Sequence, residues 1–237
     1  MSKKSLPSHL IPIFRLLLMT VCFTGFLCSC NQNPKNSDKK STGPKSPIEV
    51  NDQNDSHITC WGIGPLEFGD DLETIAEKVG KENVSTDSLF LEGDFDRLIT
   101  KVWKGTPKEI TIIWKEVKPP FKTVSTFEIA QEDSPYKFDN GIGIGTGIKE
   151  IVALNGGEPI KLYGFGWDYG GTFIDFGKGK LKGDLPCFGG VFQLQTEAAD
   201  AEVQQVMGDQ EIYSNAPAFS KYKAVLTVIR ISEKGAE

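Results

Sequence analysis

Leu66-Glu67-Phe68-Gly69-Asp70-Asp71-Leu72-Glu73-Thr74-Ile75-Ala76 recurs 76 residues later as Ile142-Gly143-Ile144-Gly145-Thr146-Gly147-Ile148-Lys149-Glu150-Ile151-Val152. Each copy runs from a short alternating strand (Leu66/Phe68, Ile142/Ile144) through a Gly turn to a helix cap, Asp70 or Thr146. Apolar residues then follow at helical spacing, Leu72/Ile75/Ala76/Val79 and Ile148/Ile151/Val152, and Gly80 or Gly156 closes the helix. Asp70 with Glu73 has the form of a capping box. Lys149 stands at the matching position of the second copy and predicts a weaker cap there.

Sequence with strand character follows each helix. In the first half, residues 98–104, 109–117 and 121–129 alternate apolar and polar side chains and are divided by Gly105-Thr106-Pro107 and Pro119-Pro120, which predicts an antiparallel meander. In the second half, residues 160–163, 172–176, 188–195 and 224–231 take that part. A third helix is expected over 197–207, capped by Thr196 and ended by Gly208. Helices this short cannot form a layer by themselves, so the expected fold class is α+β: an antiparallel sheet with short helices on one face, in two strand-helix-meander repeats. The repeats span about 58–135 and 136–237, within one domain covering 58–237.

The chain upstream of this domain reads differently. Lys3, Lys4 and Arg15 flank an apolar run over 16–27 that ends in Leu27-Cys28-Ser29-Cys30. The run is shorter than the ~20 apolar residues of a membrane-spanning helix, and a polar stretch follows it, so residues 1–29 are expected to be a cleaved secretory signal. The tetrad resembles the bacterial lipobox, and the resemblance implies acylation of Cys30, which becomes the new N-terminus. Several acyl chains on one residue hold a protein to a membrane stably, where one chain does not. Asn31 follows Cys30 where Asp would imply retention at an inner membrane, so the resemblance implies a lipid-anchored cell-envelope protein at the outer membrane. Residues 30–57 are rich in Asn, Lys, Ser, Asp, Gly and Pro and read as a flexible tether.

Removing Lys3, Lys4 and Arg15 from the 26 basic residues leaves 23 against 32 acidic ones, a net charge of −9. Such a surface repels phosphate backbones, and no Lys/Arg cluster is interleaved with aromatics, so nucleic acid is not an expected partner. Of the five cysteines, Cys60 and Cys187 are left as thiols once the signal is cut and Cys30 is acylated. In an oxidising compartment an even pair points to a disulfide, whose long loop would stabilise by about 5 kcal/mol at most; two buried free thiols are the other reading.

Gly164-Phe165-Gly166-Trp167-Asp168-Tyr169-Gly170-Gly171 is the leading candidate site. In an extended conformation Phe165, Trp167 and Tyr169 would share one face, with Asp168 pointing away. Rings beside a carboxylate suit a sugar, whose apolar face they cover while the acid accepts hydroxyl hydrogen bonds. The stronger alternative is that the rings are core, with the glycines forming a bend and Asp168 capping its own turn. This string, with Gly141-Ile142 and Leu154-Asn155-Gly156, resembles a group of bacterial lipoproteins of no established activity. The strand-cap-helix half-motif more weakly resembles small outer-membrane assembly lipoproteins and β-lactamase-inhibitor-like domains.

Other chemistry is sparsely equipped. The Gly141–Gly147 run fails both frames of the dinucleotide fingerprint and lacks a following Gly-Lys-Ser/Thr, so no cofactor is expected. His57 is the sole histidine left beyond the signal, which argues against a triad or a histidine metal site. Lys178, Lys180 and Lys182, spaced by Gly177, Gly179 and Gly183, are expected at a solvated hairpin tip. The expected role is therefore non-catalytic binding of a glycan or an envelope protein. A hydrolase using paired carboxylates such as Asp168, Asp175, Asp184 or Glu158 is the enzymatic alternative, and a structural envelope-assembly subunit is the third.

Overall fold

The computed structural model describes residues 56–233. The predicted signal, Cys30 and the tether up to residue 55 lie outside the described residues. Strands β1 (His57–Thr59), β2 (Gly62–Ile63) and β3 (Leu66–Glu67) form successive antiparallel pairs and lead into α1 (Leu72–Val79). Ile58, Ile63, Leu66 and Ile75 are buried, which is the apolar alternation of the strands passing into the helical period. The N-cap is Asp71, whose carboxylate accepts the Thr74 amide at 2.9 Å, one residue later than the capping-box frame predicts. Asp70 is already committed elsewhere: its carboxylate accepts the Glu67 amide and the Lys78 ammonium, each at 2.8 Å.

The next four strands are the expected meander, extended by one. β4 (Val84–Leu91), β5 (Asp94–Val102), β6 (Ile110–Trp114) and β7 (Val124–Ile129) pair antiparallel in sequence order. Trp114 is fully buried, stacks on Phe121 with ring centroids 5.3 Å apart and donates its indole N–H to the Thr100 hydroxyl at 2.9 Å. β8 (Lys137–Phe138) then opens the second copy by pairing parallel to β1, Ile58 opposite Phe138, so both copies share one sheet in the order β3-β2-β1-β8. In α2 (Ile148–Leu154) the N-cap is Gly147, which offers no side chain, and not the expected Thr146, whose hydroxyl accepts the Gly143 amide at 3.0 Å instead.

Beyond α2 the copies part. β9 (Lys161–Tyr163) and β10 (Phe173–Asp175) pair as a short hairpin, α3 (Leu181–Asp184) follows, and β11 (Phe188–Gln195) leaves for the large sheet. After α4 (Ala201–Gln204), β12 (Glu211–Tyr213) returns to the small sheet in the order β10-β9-β12. α5 (Ala218–Lys221) leads into β13 (Lys223–Ser232), which sits between β11 and β7 in the six-stranded order β11-β13-β7-β6-β5-β4. The fold is α+β, with antiparallel pairing dominant and short helices; α2 and α5 pack on β13.

β13 carries a bulge where Val191 and Phe192 oppose Val228 and Leu226, leaving Thr227 as the extra residue. The buried set accordingly shifts from Ala224/Leu226 to Ile229/Ile231, so both halves of the strand keep their apolar side chains inward. The same step changes its neighbour: Leu226 bonds Gly145 and Thr146 of the second-copy turn, while Ile229 to Ser232 pair with β7.

Two further expectations are corrected. The helix expected over 197–207 is confined to α4, because Asp200 accepts the Val203 amide at 3.1 Å while Thr196 spends its hydroxyl on Ala198 two residues on, a turn rather than a cap. The Lys178–Lys182 stretch is a turn running into α3 rather than a hairpin tip. Asn155 holds it there by accepting the Leu181 amide at 3.0 Å and donating to the Phe176 carbonyl at 3.0 Å. The cysteines are bonded: Cys60, in the β1–β2 turn, meets Cys187, just before β11, with Cα atoms 5.3 Å apart, tying the four-stranded sheet to the six-stranded one.

Candidate functional site

The Gly164–Gly171 string is not extended. Gly166 and Gly171 take positive φ (85° and 74°), and amides of Gly170 and Thr172 bond the carbonyls of Trp167 and Tyr169, so the chain turns back on itself. At Gly171 a Cβ would lie 2.0 Å from the Phe192 carbonyl oxygen, so only glycine fits that approach to β11. The turn separates the rings that an extended ribbon would align. Phe165 goes into the core, 7% exposed and edge-on to Phe219, its backbone bonded to Val206 and Gly208. Trp167 lies across the turn, donating its indole N–H to the Gly164 carbonyl at 2.8 Å and packing edge-on between Tyr163 and Tyr169. Asp168 and Tyr169 are exposed at the tip.

Of the candidates Phe165, Trp167, Asp168 and Tyr169, the outer pair is therefore joined by a different element. β4 and β5 are connected by Glu92-Gly93, both at positive φ (53° and 90°), the backbone of a two-residue hairpin turn. This turn carries Phe90, Leu91 and Phe95, which are 59%, 47% and 50% exposed, up to Tyr169, itself 45% exposed. Phe90 and Phe95 are cross-strand partners, edge-on at 6.2 Å. The Tyr169 hydroxyl reaches the Glu92 carboxylate at 3.4 Å. Between them lies a cleft of about 610 Å³ lined by Phe90, Leu91, Glu92, Gly93, Asp168 and Tyr169. It holds two exposed carboxylates and no basic side chain.

The sequence reading did not find Phe90, Leu91 and Phe95. A signal was present, since Phe90-Leu91-Glu92-Gly93-Asp94-Phe95 is an apolar-flanked turn with Gly at its second corner. What concealed it is β4, whose residues are all half-buried or exposed and lack a clean alternation.

Neither Glu92 nor Asp168 is withdrawn from water. Among the described residues no three His, Cys, Asp or Glu side chains gather as a metal site. Among them, too, no helix is long and apolar enough to cross a membrane.

No protein-family model, curated protein or solved structure matches this chain.

Proposed function

We propose that this chain is a lipid-anchored cell-envelope protein, held to the outer membrane through acylated Cys30, whose domain binds a protein partner without chemically changing it. One observation carries the binding half of this reading. The β4–β5 tip and the Tyr169 turn expose four large apolar side chains side by side on regular, hydrogen-bonded elements. Exposed aromatic anchors on a rigid support are what protein interfaces bury at their centres. Phe90, Leu91 and Phe95 make up most of the patch and offer only apolar packing, the contact that the centre of a protein interface supplies. Glu92, Asp94 and Asp168 rim the patch, and the chain is acidic overall, so the complementary surface is apolar with a basic margin. The lipobox resemblance supports the anchoring half.

The test places a photo-crosslinking amino acid at position 95 of the full-length protein in its own cells, with position 223 as a control surface. A discrete protein adduct is expected from position 95 and not from 223. Phe90→Ser should reduce it, and Cys30→Ser should release the protein from the membrane fraction. Equal labelling from both positions would sink the interface, and membrane retention of an unacylated Cys30→Ser protein would sink the anchor.

A further inference from the structure

Trp61 is the most exposed large apolar side chain among the described residues, at 79%, and it lies outside the β4–β5 tip. It is also firmly held. Its amide donates to the Thr59 hydroxyl at 3.1 Å, its carbonyl accepts the Phe68 amide at 3.1 Å, and the preceding residue is the disulfide-bonded Cys60. The backbone that carries this indole is thus fixed at three points, so a ligand covering it has only the side chain's own rotamers to order.

Trp61 forms one wall of a cleft of about 390 Å³, with apolar Phe138 and Leu185 and polar Asp139, Asn140 and Asp184. The polar groups are mixed in character. Asn140 Oδ1 accepts the Ile142 amide at 3.1 Å, which leaves its Nδ2 to donate. Asp139 is paired with His57 Nδ1 at 2.8 Å and Asp184 with Lys180 at 3.6 Å, and each carboxylate retains further acceptor positions. A cationic ligand would have to compete with His57 and Lys180 for these carboxylates. Hydroxyl groups, which both donate and accept, can share them, and an apolar ring face can lie on the indole.

We propose that the Trp61 cleft is a saccharide-binding site, in which one pyranose ring stacks on Trp61 and its hydroxyls bond Asp139, Asn140 and Asp184. The site is separate from the protein-binding tip, and neither depends on the other.

Calorimetric titration of the full-length protein with chitotetraose, cellotetraose and maltotetraose tests this, with tetramethylammonium chloride as the cationic contrast. Saturable binding of at least one saccharide is expected. Trp61→Ala should weaken it at least about tenfold while Trp61→Tyr retains most of it, because the stacking face is kept. Asp184→Asn, on α3 and not on the β1–β2 hairpin, should weaken it independently. Urea midpoints of all variants at the wild-type value establish that folding is intact. Absence of binding by all three saccharides overturns the proposal. So does unchanged affinity in Trp61→Ala, or tetramethylammonium binding that Trp61→Ala abolishes while saccharides fail.

Discussion

Asp70 and Thr146, 76 positions apart, make the same hydrogen bond: each side-chain oxygen accepts the backbone amide three residues earlier, Glu67 at 2.8 Å and Gly143 at 3.0 Å. Each also donates its own amide to the carbonyl of that residue, at 3.0 and 3.2 Å, so both copies close an identical turn before their helix. The repeat is thus structural, and its equivalent polar residues are both buried. Asp70 differs in also holding Lys78. Removing its carboxylate takes away the close partner of a partly buried ammonium and leaves it only the longer Glu67 contact at 3.8 Å, so Asp70→Ala should cost about 2–3 kcal/mol, against about 1 kcal/mol for Thr146→Val. Urea unfolding at neutral pH checks the ranking; equal losses would show that the Lys78 contact adds nothing.

The Cys60–Cys187 bond spans 127 positions and joins two sheets. Its contribution in the chain-entropy account is about 5 kcal/mol at most. Paired Cys60→Ala and Cys187→Ala substitutions should lower the thermal midpoint sharply, as should a reductant. If the reductant shifts wild type but leaves the doubly substituted protein unchanged, the effect belongs to this bond.

Asn155 is fully buried and satisfies three backbone groups, donating to Glu158 and Phe176 and accepting from Leu181. Gly179 lies against it so closely that a Cβ there would sit 2.1 Å from the amide atoms. Asn155→Ala strands those partners and should cost roughly 3 kcal/mol. Gly179→Ala should destabilise through overlap. Combined, the two should cost less than their sum, because the truncated side chain no longer opposes the new methyl. Strict additivity in the double-mutant cycle would show that the overlap is relieved elsewhere.

What the sequence disclosed follows from which signals are local. Strand 188–195 is legible to its bounds because Phe188 and Phe192 alternate around glycines. The repeat was legible because its caps, apolar positions and closing glycines are close together. β4 was not legible, because an edge strand buries neither face fully and so loses the period-two signal. The choice of Asp71 over Asp70, or of Asp200 over Thr196, depends on which oxygen is already engaged, and that is settled by neighbours in space. The same holds at the site: an alternating aromatic string looks extended until Gly166 and Gly171 adopt positive φ.

Acid should unfold this domain through a small set of carboxylates. Hydrogen bonds from Lys221, then Tyr222 and the Val203 amide, hold Asp200 well below the ordinary carboxylate range. Lys122 and Thr74 do the same for Asp71. Burial pushes Glu109 up, but the Gly105 amide and Lys101 together bring it below its usual value. A depressed folded value means that the unfolded chain binds more protons as pH falls, so this stability is complete above the ordinary carboxylate pKa and is lost on descent below it. The urea midpoint should be flat near neutrality and fall from about pH 5 downward. Asp200→Asn should start lower and fall less steeply, since an uncharged cap has no proton to take up. A wild-type slope in that variant would place the acid sensitivity elsewhere.

Phe165 and Tyr169, four positions apart in one turn, should behave as opposites. Phe165 is 7% exposed against Phe219, so Phe165→Ala opens a cavity and should cost about 3–5 kcal/mol. Tyr169 is 45% exposed and its hydroxyl meets Glu92 at 3.4 Å in solvent, so Tyr169→Ala should change stability by no more than about 0.5 kcal/mol. The proposed interface reverses the ranking: in crosslinking from position 95, Tyr169→Ala should diminish the adduct although the protein is fully folded. Phe90→Ser should do likewise, since Phe90 is 59% exposed and its packing is confined to the tip. Were Tyr169→Ala to unfold the domain, or to leave the adduct at wild-type intensity, the outer half of the aromatic string would be scaffold and the hairpin tip would act without it.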